Sequence, residues 1–191
     1  MTEYVLATAN PDKAAEIQAI LGAALRLRPR PPEVPEVEET GATLLDNARL
    51  KARALAAATG LPAIADDTGL EVDALGGAPG VWSARYAGEH ATYADNVSKL
   101  LRAMEGTPQR SARFRTVAIA AWPGGREVHA EGAVEGTIAV AAAGDGGFGY
   151  DPVFVPAGAT ATFAEMAPEA KHALSHRGRA FRALAELLTG T

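Results

Sequence analysis

Ala63-Ile64-Ala65 is a short apolar run that ends in two adjacent carboxylates, Asp66 and Asp67, followed at once by Thr68-Gly69. Such a run reads as a buried strand. Side chains on a strand alternate between faces, so the two acids are sent in opposite directions. The spacing predicts that the strand stops at the acids and that Thr68-Gly69 turns. Leu70 and Val72, alternating with Glu71 and Asp73, then form a second short strand. A strand end of this kind can set one oxygen ligand in a cleft. The same residues also describe a plain polar turn, because Asp and Gly are ordinary turn formers.

Upstream, Tyr4 to Ala7 reads as a first buried strand, and Thr8-Ala9-Asn10-Pro11-Asp12-Lys13 turns into a helix. Asn10 suits the N-cap, and Pro11 suits the first helical position, where its missing N–H costs nothing. Ala14, Ile17, Ile20 and Leu21 line one side, and the helix stops near Gly22. Free N–H groups and the helix dipole beside Lys13 suit an anion. Taken alone, the segment is also an ordinary βα turn with a surface lysine.

Leu25 to Arg28 is a candidate second strand, and the proline-rich Pro29 to Pro35 excludes helix and central strand. Thr43 then caps a long helix running to about Ala58 and closed by Gly60 and Pro62, with Leu44, Ala48 and Leu55 as its inner stripe. Asn47 and Lys51 are four apart and share a face. Glu38 and Glu39 precede this helix, and either has the chemistry of a metal ligand, though a solvated pair fits as well. Thr92 and Asp95 begin a helix with Val97, Leu100, Leu101 and Met104 inward. Ala112 to Trp122 is a strand, Pro123-Gly124-Gly125 turns into Arg126 to Ala133, and Glu135 to Val140 is a third strand of a meander.

The glycine-rich loop Ala141 to Gly149 contains G-x-G-x-x-G but is followed by Tyr150-Asp151-Pro152 and a strand-like Val153-Phe154-Val155. A dinucleotide-binding motif must open a helix in a βαβ unit, so that meaning is rejected. What the loop offers is Phe148, suited to stacking on a flat base, with the Asp151 carboxylate nearby. A core phenylalanine in a tight turn fits the same residues. A short helix carries Lys171, and His176 and Arg177 open a final helix with Phe181, Leu184, Leu187 and Leu188 inward. Cations at a helix N-terminus oppose its dipole, which points to a role as donors to a ligand, while a plain surface position fits the same residues.

The chain has 191 residues with 48% hydrophobic content, enough for one sizeable core and one domain over residues 1–191. Its formal charge of -5 argues against nucleic acid or an anionic membrane as partners. It has no cysteine, hence no disulfide, zinc-thiolate site or cysteine nucleophile. With no signal pattern at the start and no membrane-length apolar run, the expected location is the cytoplasm. Carboxylates with few soft ligands select Mg²⁺, which uses one or two acids plus substrate phosphates. Lysines, Mg²⁺ and a stacking aromatic together describe a nucleoside polyphosphate. The Walker pattern is absent, so a P-loop enzyme is excluded.

At these residues the chain resembles the inosine triphosphate pyrophosphatases, also known as XTP/dITP diphosphatases. The matching stretches are Thr8 to Lys13; Glu39 to Thr43 with Asn47-Ala48 and Lys51-Ala52; Ala65 to Leu70; Gly77 to Gly80 with Ser83 to Tyr86; Gly147 to Pro152; and Lys171 with Ser175-His176-Arg177. They occur in family order over nearly the whole length. Thr68 stands where the family commonly has Ser, and the hydroxyl is kept. The resemblance implies an α/β fold with an elongated mixed sheet, flanking helices and two lobes around a central substrate cleft, usually as a homodimer. It implies hydrolysis of nonstandard purine nucleoside triphosphates (ITP, dITP, XTP) to the monophosphate and pyrophosphate. By the family's pattern, Glu39 and Asp67 hold Mg²⁺ and Asp67 is also the general base. Thr8, Ala9, Asn10, Pro11, Asp12, Lys13, Lys51, Thr68, Phe148, Gly149, Tyr150, Asp151, Lys171, His176 and Arg177 bind substrate. Asp66 stays open between a second metal ligand, a hydrogen-bond orienter and a buried structural acid. The alternatives are a nucleotide-binding regulatory module without catalysis and an aspartyl-phosphate phosphatase. The D-x-D-G-T pattern of the latter is missing.

Overall fold

A computed structural model of the chain describes residues 2–190. In chain order the elements are β1 (Glu3–Leu6), α1 (Pro11–Leu21), β2 (Arg26–Arg28), α2 (Leu44–Thr59), β3 (Ala63–Val72) and β4 (Pro79–Gly80). These are followed by α3 (Tyr93–Ala103), β5 (Ser111–Ala121), β6 (Glu127–Ile138), β7 (Phe154–Pro156), α4 (Pro168–Leu174) and α5 (His176–Thr189). The seven strands make one mixed sheet in the order β2-β1-β3-β5-β6-β7, with β4 paired to β3 off that path. β1 runs parallel to β2 and β3, while β4 on β3 and β7 on β6 are antiparallel. This is the mixed α/β class that the resemblance implied. No helix among the described residues is long and apolar enough to cross a membrane.

Helix starts follow their local chemistry. The Asn10 side chain accepts from the Asp12 and Lys13 N–H groups, with Pro11 in the first turn. Thr43 accepts from the Asp46 N–H, and Thr92 forms a reciprocal capping box with Asp95. Gly60 closes α2 at φ 67°, a left-handed conformation that glycine adopts without a Cβ penalty.

Two strands differ from the expected pattern. β3 does not stop at the acids: Asp66, Asp67, Thr68 and Gly69 all lie inside one ten-residue strand. β6 likewise runs unbroken from Glu127 to Ile138, so the expected break before Glu135 and separate third strand are absent. Its glycines mark close approaches of other backbone rather than turns. A Cβ at Gly136 would lie 2.3 Å from the Val155 carbonyl oxygen. On α5, Phe181 and Leu184 are buried as expected, but Leu187 is exposed.

The chain divides into two compact units. Unit one comprises residues up to Asp67, Thr116–Gly132, and the segment from His176 onward. Its strands alternate strictly. Tyr4, Leu6, Ile64, Ala118 and Ala120 pack with Ile17 and Leu21 of α1 and Ala180, Phe181 and Leu184 of α5. Val5, Ala63, Ala65, Ile119 and Ala121 instead belong to the clusters built around Ala48, Ala52, Leu55 and Ala56 of α2. Unit one is therefore three layers, α1/α5, sheet, and α2, with alanines letting α2 approach closely. Unit two comprises Thr68–Arg115 and Ala133–Ser175. Its core joins Leu70 and Val72 to Val97, Leu100 and Met104 of α3 and to a Phe114, Phe154 and Phe163 cluster.

In unit one, a Cβ at Gly132 would stand 2.2 Å from the His176 carbonyl oxygen and 2.4 Å from the Ala180 nitrogen, both backbone. Gly132→Ala is expected to push back the start of α5 and destabilise by about 1–3 kcal/mol. The readout is thermal unfolding, with a fall of roughly 2–4 °C per kcal/mol. Glu127 accepts from Arg49 (Nε–Oε1 2.8 Å) and Arg53 (Nη2–Oε2 2.8 Å). Burial alone would raise its carboxyl, but the two guanidiniums outweigh that and lower it. A lowered folded-state value stabilises above the unfolded value, near ~4.3, and is lost as pH falls through the folded value. Glu127→Gln is therefore expected to lose about 0.5–1 kcal/mol at pH 7, and the gap is expected to close as pH falls through the lowered folded-state value. Denaturant unfolding across pH measures it.

Candidate functional site

Because β3 alternates, its two acids meet different helices. Asp67 follows Ala63 and Ala65 toward α2, and Asp66 follows Ile64 toward α1 and α5. Both are buried, and each meets a cation on its own side.

On the α2 side, Lys51 Nζ lies 3.2 Å from Asp67 Oδ1 and 2.8 Å from Glu39 Oε1. Asn47, one turn earlier on the same face, donates Nδ2 to Asp67 Oδ2 at 3.2 Å. One ammonium thus joins two carboxylates from separate segments, while Glu38 is exposed. Burial raises the Asp67 carboxyl above its ordinary value, against the pull of Lys51 and Lys13. Burial would lower Lys51, but the Asp67 and Glu39 carboxylates outweigh it and hold the ammonium charged.

On the α1/α5 side, Asp66 Oδ2 lies 3.5 Å from Lys13 Nζ and 3.4 Å from Arg177 Nη2. Arg177 also pairs with Glu16 of α1. The Lys13 ammonium is lowered by burial, partly offset by Asp66. These contacts explain how α5 tolerates a buried cation at its N-terminus: two carboxylates answer the charge that the helix dipole opposes. Asp66 thus stands between Lys13 and Arg177.

Thr8 Oγ1 accepts from the Asn10 N–H at 3.1 Å, which with the Asn10 cap fixes the loop from Thr8 to Lys13. Ala9 lies in that loop, Pro11 opens α1 and Asp12 is exposed in its first turn. His176 is buried at the start of α5.

Unit two holds the second group. Asp151 Oδ2 accepts from the Phe148 N–H at 2.8 Å and from Lys171 Nζ at 2.6 Å. The Lys171 ammonium stands 4.9 Å from the centre of the half-buried Phe148 ring, a cation–π contact. Gly149 turns at φ 62°, and the buried Tyr150 hydroxyl donates to the Ser83 carbonyl at 2.8 Å. Burial raises the Tyr150 phenol well above its usual range. Thr68, half-buried on β3, is the first residue of this unit. The G-x-G-x-x-G stretch lies in a loop leading to β7 rather than a helix, as the rejection of dinucleotide binding required.

Among the described residues no three His, Cys, Asp or Glu side chains gather as a metal cage. The donor set nonetheless suits Mg²⁺, which is commonly held by one or two carboxylates with substrate phosphates and water. Glu39 and Asp67 are hard oxygen donors that already converge on one cation. Two contributors escaped the sequence reading. Glu16 gave no signal, being a polar residue inside an apolar helix face. Asn47 was visible as a neighbour of Lys51 and within a matching stretch, but carried no assigned role.

The Ham1 family model matches residues 4–187. A Streptomyces coelicolor protein named dITP/XTP pyrophosphatase is 50% identical over 191 residues, covering 96% of each chain. A Rhodospirillum centenum protein of the same name is 48% identical, covering 94% of this chain and 91% of its own. The solved structure of a HAM1 protein from Coxiella burnetii superposes with a TM-score of 0.91 at 43% identity, covering 100% of both chains.

Carbon-13 carboxyl shifts followed against pH in the metal-free protein check the electrostatics. Asp67 is expected to titrate above the ordinary Asp value of about 3.9. Lys51→Met removes the main charge that favours its ionised form, so the midpoint is expected to rise further. A midpoint that falls in that variant contradicts the assignment.

Proposed function

The chain belongs to the Ham1 family, and we propose that it hydrolyses nonstandard purine nucleoside triphosphates (ITP, dITP, XTP) to the monophosphate and pyrophosphate, with Mg²⁺. The observation that carries this is the sharing of Lys51 between Glu39 and Asp67. The names of the Streptomyces and Rhodospirillum relatives support the substrate class.

In this proposal Glu39 and Asp67 hold the metal. Bound there, Mg²⁺ supplies charge neutralisation for the triphosphate and the leaving pyrophosphate. Lys13 and Lys51 add positive charge for the phosphates, together with N–H groups at the start of α1. An Asp67 carboxylate oxygen takes the proton of a water aimed at the α-phosphorus, a contribution of ~10²–10⁴ in rate. Phe148 offers a ring face for the purine, held by Asp151 and Lys171. Donors from His176 and Arg177 match a 6-oxo group, whereas adenine's 6-amino group would leave them unpaired.

Asp67→Asn is expected to cut pyrophosphate release from ITP by at least about 10²-fold while an ITP complex is still detected. Near-normal turnover in that variant removes Asp67 as the base. Product assays across ITP, dITP, XTP, GTP and ATP, with and without Mg²⁺, test the substrate class. The expected result is Mg²⁺-dependent monophosphate and pyrophosphate from the first three. ITP binding with no product in Mg²⁺ supports the non-catalytic module instead.

A further inference from the structure

Asn47 is fully buried, although its amide carries two donors and an acceptor that must find partners away from water. Its own backbone N–H is already used in the helix, bonded to the Thr43 carbonyl at 3.1 Å. The side chain is therefore not needed to cap α2, a task done by Thr43. Instead it faces two ways. Oδ1 accepts from the Gly41 N–H at 2.7 Å, and Nδ2 donates to Asp67 Oδ2 at 3.2 Å. The amide has one orientation here, since a backbone N–H requires the oxygen and a carboxylate requires the nitrogen.

Gly41 lies two residues after Glu39, which reaches Lys51, which in turn reaches the other Asp67 oxygen. The contacts close a ring: Glu39, the backbone to Gly41, Asn47, Asp67, Lys51, and back to Glu39. Gly41 fits the ring for reasons of space, since its φ is not positive. A Cβ there would stand 2.6 Å from Asn47 Oδ1 and 2.8 Å from the Asn47 backbone nitrogen. The loop can lie against the amide only because residue 41 has no side chain.

We propose that Asn47 is the positioning residue of the carboxylate pair: it locks the Glu39 loop to Asp67 so that both acids present oxygens to one cation. This rests on the reading of Glu39 and Asp67 as metal ligands. The lysine and the amide divide the work. Lys51 supplies charge that a metal can replace, while Asn47 supplies geometry that remains when the metal is bound. Groups of this kind, holding ligands rather than ligating, typically change metal affinity 10- to 100-fold when removed.

The test uses Mn²⁺ alone as an electron-paramagnetic stand-in for Mg²⁺, titrated into full-length protein without nucleotide. Asn47→Ala is expected to raise the Mn²⁺ Kd about 10-fold or more. The Mg²⁺ concentration giving half-maximal ITP turnover is expected to rise in parallel. Gly41→Ala leaves the amide intact but forces the loop away from it, so it is expected to reproduce the loss and to serve where Asn47→Ala does not fold. A folded Asn47→Ala or Gly41→Ala protein whose Mn²⁺ Kd stays within twofold of the parent overturns the positioning role, whatever its melting temperature. If the parent binds no Mn²⁺ and hydrolyses ITP equally well without divalent metal, the ligand reading falls and the positioning role with it.

Discussion

Two carboxylates at consecutive positions of a buried strand make their closest contacts with different counter-ions. The pleat sends them to opposite faces, and each needs its own cation on its own side or must give up its charge. Asp66 and Asp67 impose that demand on β3, and much of unit one answers it. Asp67 requires α2 to bring Lys51 and Asn47 to one face. Asp66 requires Lys13 from α1 and Arg177 from α5. Arg177, brought into the interior, in turn requires Glu16. The alanines that face α2 and the glycine that admits α5 allow helix and strand to come close enough for these side chains to meet.

What was legible in the sequence was what local chemistry decides. Asn10, Thr43 and Thr92 capped the helices they were expected to cap, because a cap needs only the next three residues. Lys51 and Asn47 shared a face because helical spacing dictates it. The misplaced strand ends have one physical cause. Asp, Thr and Gly favour turns locally, but the partners that let Asp66 and Asp67 stay inside a strand are remote. Arg177 is 111 residues from Asp66 and Lys51 is 16 from Asp67. On β6, Gly132 and Gly136 lie inside the unbroken strand and serve close approach of other backbone. The ordered motifs carried the family independently of any of these strand ends.

The proposed division of roles follows the same economy of contacts. Lys51 holds two acids together before a metal arrives, so the pair need not be assembled from mutually repelling charges. Asp151 plays a comparable part in unit two, tying the Phe148 backbone and the Lys171 ammonium to one carboxylate oxygen. In both places a buried polar group is fully engaged and so fixes its neighbours, which is how such groups specify geometry at little net gain in stability.

The most direct measurement of the central claim is ITP hydrolysis with Mg²⁺ in water enriched in oxygen-18, with both products analysed by mass spectrometry. Attack of an Asp67-activated water at the α-phosphorus places the label in inosine monophosphate and leaves pyrophosphate unlabelled. Label in pyrophosphate, or in free orthophosphate released from the γ-position, contradicts the account.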